Sequence, residues 1–110
     1  MKKKSDIVDF LRKDFARDLL KTIDFLNPPH LPISRLCTIK DVSLNMPLGL
    51  KETWKLIDEA CECGLVATYG GLLSNKRVDL TELGELVTEC GSEDDIIRLL
   101  FGHMNEGGKK

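Results

Sequence analysis

The order of local patterns between residues 38 and 84 constrains the fold more than any other feature of the chain. Four segments there have the periodicity of regular secondary structure: helices over about 39–45 and 50–63, and strands over about 65–69 and 76–80. Pro47 and Gly49 mark a tight turn between the helices, and GGLLSN marks a hairpin turn between the strands. The sequence therefore predicts a helix, a turn, a second helix and a β-hairpin in direct succession.

Helices are predicted on both sides of this unit. Apolar residues at three- and four-residue steps predict one long helix over 5–26, which ends where Asn27 is followed by two prolines. That helix is longer than so small a domain needs internally, which suggests that it packs against a partner subunit. Residues 36–39 are expected to form a short strand. A last helix over about 92–104 is expected to precede a loose tail, 105–110.

Composition indicates a single globular domain. The 110 residues are 42% hydrophobic and 31% charged, which is ordinary for one domain spanning 1–110. Charged residues interrupt every candidate signal or membrane-spanning stretch, so we expect a cytoplasmic protein that does not enter a membrane. The four cysteines are accordingly expected to be reduced thiols, most of them small core residues.

Three stretches resemble the winged helix-turn-helix regulators of the MarR-like, PadR-like and ArsR-like superfamily. They are TIKDVSLNMPLGL (38–50), similar to the positioning helix and turn; GLKETWKLIDEACECGLV (49–66), similar to the recognition helix; and VDLTELGELV (78–87), which holds the wing-closing signature Leu80, Thr81 and Gly84. The resemblance implies a mainly α fold with a small β-hairpin wing, here with a long N-terminal helix and an apolar C-terminal helix.

In that superfamily the second helix enters the DNA major groove and the wing touches an adjacent groove or the backbone, which implies double-stranded DNA as the partner. Lys51 and Lys55 lie one turn apart on the charged half of helix 50–63 and are candidates for phosphate or guanine contacts. Glu52 is a candidate to accept a hydrogen bond from a cytosine amine. The alternative is a solvated face of Glu/Lys pairs.

Further candidate DNA contacts lie outside the recognition helix. Asn75, Lys76 and Arg77 cluster at one side of the hairpin loop, where they would reach a minor groove or phosphates. Arg35 and Lys40 flank the positioning helix and are candidates for backbone contacts. An ordinary polar hairpin tip is the alternative for the first group. The net charge of the whole chain is −2, so attraction of DNA would depend on the local arrangement of the basic groups and not on the total charge.

The C-terminal helix predicts a homodimer. It is apolar around much of its circumference, so more than one neighbour must cover it. Two-fold pairing with the long N-terminal helix of a second copy would do so and would supply two recognition helices. The candidate interface residues are Ile96, Leu100, Phe101 and Met104. The alternative is packing of the two terminal helices within a monomer.

The sequence gives less support to other classes of function. No catalytic constellation and no cofactor motif is recognisable, so an enzyme is not expected. One open alternative is a winged-helix protein–protein module, in which the second helix is solvated and the C-terminal helix docks a partner. Another is a metal or redox sensor, because Cys61 and Cys63 resemble the Cys-x-Cys box of ArsR-like repressors. That box lies on the helix before recognition, whereas here it ends the recognition helix.

Overall fold

A computed structural model of the chain describes the backbone of residues 4–109 and the side chains of residues 6–73 and 75–101. Its helices are α1 Lys4–Leu11, α2 Ala16–Leu26, α3 Ile39–Leu44, α4 Leu50–Glu62, α5 Glu82–Glu89 and α6 Glu93–Lys109. Its strands are β1 Val66–Tyr69 and β2 Arg77–Leu80, and short 3₁₀ turns span Ile33–Arg35 and Leu73–Asn75. A mainly helical fold with one antiparallel hairpin is thus confirmed.

The single long N-terminal helix predicted over 5–26 is wrong, because the chain breaks between α1 and α2. Phe15 adopts a left-handed backbone with φ of 67°, which a continuous helix does not contain. On an unbroken helix the buried residues of α1 and of α2 would lie on faces about 150° apart. The break turns both sets toward one core, and it leaves Arg12, Lys13 and Asp14 exposed.

The helix-turn-helix unit begins and ends where local signals predict. Thr38 and Asp41 form a reciprocal capping box at the start of α3, with hydrogen bonds of 3.1 Å and 3.0 Å. Gly64, which follows α4, has φ of 76°, a backbone conformation that glycine adopts without steric cost. The start of α3 and the end of α4 can therefore be predicted from the sequence alone.

The hairpin is joined to the segment that precedes α3. β1 and β2 pair antiparallel from Val66 opposite Leu80 to Tyr69 opposite Arg77. The expected strand at 36–39 is reduced to one bridge, between Thr38 and Arg77. Two backbone hydrogen bonds flank that bridge: one from the N–H of residue 39 to the carbonyl of residue 76, at 3.0 Å, and one from residue 78 to residue 37, at 2.9 Å. The capping box then starts α3 at once, so the strand has no room to lengthen.

The wing-closing signature has a structural explanation. The Thr81 hydroxyl donates to the Gly64 carbonyl at 2.6 Å and accepts from the Gly84 N–H at 3.0 Å, so one side chain joins the end of α4 to the start of α5. A Cβ at Gly84 would lie 2.0 Å from the Leu65 carbonyl oxygen. Leu80 is buried beside them. This close packing requires glycine at 84.

Asn27 ties three distant parts of the backbone together. Its buried amide donates to the Val78 carbonyl at 2.8 Å and to the Asp79 carboxylate at 3.2 Å. Its amide oxygen accepts from the Cys37 N–H at 2.8 Å. One side chain at the end of α2 therefore holds the segment before α3 against β2.

The proposed dimer residues Ile96 and Leu100 are buried within the protomer, where α6 packs against α1. They are therefore not available to a second copy, because their apolar surface is already covered inside the chain. Phe101 is half-buried and packs against the same core, and the side chain of Met104 lies outside the described residues. The expected end of the last helix near 104 is also wrong, since α6 continues to Lys109 and no proline follows Pro47 to stop it.

The buried hydroxyl of Thr53 leads to a testable prediction about stability. Its side chain is fully buried, and its hydroxyl has no hydrogen-bond partner in the part of the chain that the structure describes. We expect Thr53→Val to raise the free energy of unfolding by about 1 kcal/mol in urea denaturation, because valine keeps the shape and removes an unsatisfied polar group. Thr81→Val is the matched control and should lower stability by about 1 kcal/mol. Equal destabilisation by both variants would contradict this assignment.

Candidate nucleic-acid interface

Helix α4 presents three different surfaces around its axis. Its buried side faces α3 and the hairpin and contains Thr53, Leu56, Ile57 and Ala60. Opposite that side, at 3.6 residues per turn, lies an outward stripe. The stripe contains the exposed residues Lys51, Lys55, Asp58 and Glu62. An apolar flank and an acidic flank run along its two sides.

The outward stripe is divided by charge along the helix. Lys51 and Lys55 occupy the N-terminal half and Asp58 and Glu62 the C-terminal half. Within the described residues, neither lysine side chain forms an ion pair or an internal hydrogen bond. In a recognition helix the N-terminal residues approach the base edges. The two cations are therefore at the end of α4 where DNA contacts are expected.

The acidic flank is directed away from the lysine half. Glu59 forms an ion pair with Lys13 of the break between α1 and α2. A Glu52 carboxylate oxygen lies over Gly49, only 2.6 Å from where a Cβ on that residue would be. A carboxylate at this place complements the partial positive charge of the helix N-terminus. Glu52 is thus folded against its own helix, and its predicted contact with cytosine would require the side chain to turn outward.

The apolar flank borders a shallow groove of about 500 Å³ on the outside of α4. Leu50 and Trp54 form its apolar part, and Lys51, Lys55 and Asp58 complete the lining. Leu50 is 42% exposed, and Trp54 is half-buried against the core. Helical periodicity alone groups both residues with the buried half of the helix, since it does not reveal where a neighbouring element ends.

The two basic residues of the wing, Lys76 and Arg77, do not project freely into solvent. The Arg77 guanidinium donates from Nη1 to the Leu36 carbonyl at 2.7 Å and is half-buried. Lys76 is also half-buried, and its charge lies near enough to Cys61 at the end of α4 to lower the pKa of that thiol against the larger effect of burial. Both cations therefore lie at the loop end of the paired strands, beside the segment that precedes α3, and Arg77 is partly engaged there.

The tip of the wing is apolar. Leu72 is 81% exposed and Leu73 is 75% exposed, so they do not fold back onto the core. Asn75 is exposed beside them. Leu73 has a left-handed backbone with φ of 53°, which a leucine adopts at some cost.

The pairing of residues 37–39 with β2 brings dispersed basic residues to one region. Arg35 lies in the 3₁₀ turn just before this pairing, and Lys40 lies in the first turn of α3 just after it. Lys76 immediately precedes β2 and Arg77 is the first residue of β2, and both contact residues 38 and 39 through the backbone. Both Arg35 and Lys40 are exposed. Four of the candidate DNA contacts are thus neighbours in the fold, although they are separated by about 40 positions in sequence.

The cysteines lie in environments that disfavour thiolates. Burial raises the pKa of Cys37 to about 11, and burial also raises the pKa of Cys61 and of Cys90. Thiolate is the form that binds metals and reacts with oxidants. Among the residues that the structure describes, no group of three or more potential ligands is placed to hold a metal ion. The Cys-x-Cys pair itself is split, with Cys63 buried and Cys61 half-buried.

No described helix combines the length and the apolar character that crossing a bilayer requires.

Comparison with known proteins supports the fold. No protein-family model matches the sequence, and no curated protein matches it. A solved structure from Thermoplasma volcanium, "a possible HxlR family transcriptional factor", superposes with a TM-score of 0.58 at 15% identity. The match covers 94% of this chain and 83% of that chain. It does not single out the MarR-like, PadR-like or ArsR-like families suggested by the motifs. At this level of identity, the likeness establishes that the chain has a winged helix-turn-helix fold.

Proposed function

We propose that this chain is a cytoplasmic, non-enzymatic transcriptional regulator that binds double-stranded DNA. Helix α4 enters the major groove with its N-terminal half, and the hairpin lies along the adjacent backbone. The observation that carries the proposal is the pair Lys51 and Lys55, exposed and without an ion pair among the described residues. Two acidic side chains of the same helix turn away from the lysines, since Glu59 binds Lys13 and Glu52 covers Gly49, whereas Asp58 shares their stripe one turn beyond Lys55.

The region around Arg35, Lys40 and Lys76 supplies contacts to phosphate in this proposal. Arg77 contributes mainly by holding the loop end of the hairpin strands through its bond to the Leu36 carbonyl, and its other guanidinium N–H groups remain candidates for phosphate. Asn75 is a candidate contact at the wing tip. The acidic total of the chain is compatible with this arrangement, because only the local field along α4 and β2 meets the DNA.

The regulator is proposed to act as a homodimer, since paired half-sites need two recognition helices. Ile96 and Leu100 cannot contribute to the interface, because they are covered within the protomer, and Phe101 and Met104 stay candidates. Ile97 is 37% exposed and is the most exposed apolar side chain among the described residues of α6, so it is a further candidate to meet a second copy. Sedimentation equilibrium should then give a mass of two 12.3 kDa chains.

A direct test measures the affinity for a labelled random-sequence duplex by fluorescence anisotropy. Binding should be clear at about 50 mM salt and should weaken steeply by about 200 mM salt, because counterions are released from phosphates. Lys51→Gln and Lys55→Gln should each weaken low-salt binding by about fivefold and reduce the salt slope by about 0.9.

Lys21→Gln is the control for this pair. It removes the same charge from an exposed position on α2, on the side of that helix away from its buried residues. Its affinity and salt slope should equal those of the wild type. A protein that fails to bind any duplex at low salt, with all variants folded, would overturn the proposed function.

The second candidate function is a protein–protein module, and the exposed leucines of the wing tip favour it. Leu72 and Leu73 present apolar surface at a position where a DNA-contacting wing usually carries polar groups. Under this function the chain does not bind DNA at low salt, so the same anisotropy measurement separates the two candidates.

A further inference from the structure

The groove on the outside of α4 lies on the helix that the proposed function places in the DNA major groove, and the inference about base recognition rests on that function. Leu50 is the first residue of the helix and is 42% exposed, although it faces the DNA-reading end. It belongs neither to the buried core nor to the apolar residues packed on that core within the described chain. Packing in the core therefore does not explain why residue 50 is apolar.

Trp54, one turn further along, continues the same apolar surface. One part of its indole packs on the core, and the other part lines the groove beside Leu50. Lys51 and Lys55 lie along the neighbouring stripe, so the apolar surface is bordered by cations on the side that faces outward. An aliphatic and an aromatic side chain are thus held next to groups that attract phosphate.

The composition of α4 narrows the kind of base contact that is available. The helix sequence LKETWKLIDEACE contains no arginine, asparagine or glutamine. Those residues make the bidentate hydrogen bonds that identify guanine and adenine in the major groove. Thr53 is fully buried and Glu52 is folded against the helix start. Hydrogen-bonding readout from the N-terminal half of this helix is therefore limited to its lysines, and Asp58, further along the stripe, could accept only from a cytosine amine.

The major groove offers one apolar feature on its base edges, the C5-methyl group of thymine. We propose that Leu50 and Trp54 recognise thymine methyl groups, while Lys51 and Lys55 hold the adjacent phosphates or a guanine. The ligand class of the α4 surface is thus a thymine-bearing major groove. Charge complementarity places the duplex there, and the apolar flank selects the methylated edge.

The test compares two duplexes that differ only in that methyl group. An alternating adenine–thymine duplex and its adenine–uracil counterpart are titrated at about 50 mM salt, where phosphate contacts hold the complex. Removal of the methyl groups should weaken wild-type binding about fourfold for each methyl that is engaged. Leu50→Ala should lose affinity for the thymine duplex, and its preference for thymine over uracil should fall about fourfold for a methyl that Leu50 engages.

Leu86→Ala is the matched control, because Leu86 is also 42% exposed but lies on α5. It should keep the full preference for thymine. Melting temperatures of both variants, compared with the wild type, establish that each is folded. A cytosine duplex and its 5-methylcytosine counterpart give a second reading, since the added methyl occupies the same groove and should strengthen binding.

The outcomes separate the two proposals. Tight binding with equal affinity for the thymine and uracil duplexes would overturn methyl recognition and leave DNA binding intact. A preference for thymine that is undiminished in Leu50→Ala would also overturn it, because the preference would then arise from DNA shape. Failure to bind any duplex would overturn DNA binding itself and leave the groove to a protein partner.

Discussion

Gly84→Ala is expected to lower the free energy of unfolding by about 3 kcal/mol. The added Cβ would lie 2.0 Å from the Leu65 carbonyl oxygen and 3.0 Å from its carbon, and both are backbone atoms. A flexible side chain could move aside, but here the start of α5 or the end of α4 must shift, as in an overpacked core. Urea denaturation followed by far-ultraviolet circular dichroism measures the loss.

Gly91→Ala is the control for this substitution. A Cβ on Gly91 would meet only the Asp95 carboxylate, at an ordinary 3.8 Å, and the residue is exposed between α5 and α6. Its stability should change by no more than about 0.5 kcal/mol. If Gly84→Ala were as stable as Gly91→Ala, the close approach of α5 to Leu65 would be refuted.

Asn27→Ala should cost about 2–3 kcal/mol, the second large effect. The truncation removes three hydrogen bonds and leaves the buried Cys37 N–H without its acceptor. An unsatisfied buried donor costs more than the bond itself contributed. Besides the shift in urea midpoint, hydrogen exchange at the Cys37 amide should accelerate, which a general loss of stability would not confine to that segment.

Asn45→Ala provides the comparison. Asn45 is exposed, and its amide makes a single bond to the Asp41 carbonyl at 2.8 Å. Its loss should cost about 0.5 kcal/mol, since water replaces the partner. Similar losses from both asparagine variants would show that Asn27 does not hold the three segments together.

The parts of the fold that sequence analysis predicted are those with local signals. Thr38 and Asp41 cap α3, Gly64 ends α4, and Thr81 starts α5, and each acts on residues within a few positions. The helix-turn-helix unit and the hairpin follow from such signals. Periodicity was misleading at Phe15, where an apolar residue in register continued the stripe through a break in the helix.

The features that were missed depend on residues distant in sequence. The bonds of Asn27 span up to 52 positions, and the ion pair of Lys13 with Glu59 spans 46. The residue pattern of one segment does not indicate which residues of a distant segment it contacts. For the same reason, the engagement of Arg77 by Leu36 and the covering of Ile96 by α1 appear only when the segments are assembled.

The hydrogen bonds between β2 and residues 37–39 have a mechanical consequence for the proposed function. They join the start of β2 to the start of α3, so the loop end of the hairpin cannot hinge independently of the helix-turn-helix unit. The distance between the two DNA-facing elements is therefore set when the chain folds. A duplex that touches both must itself adjust its groove width, and the elastic cost of doing so depends on its base sequence. Stiffness in the protein would thus make the deformability of DNA a criterion for binding.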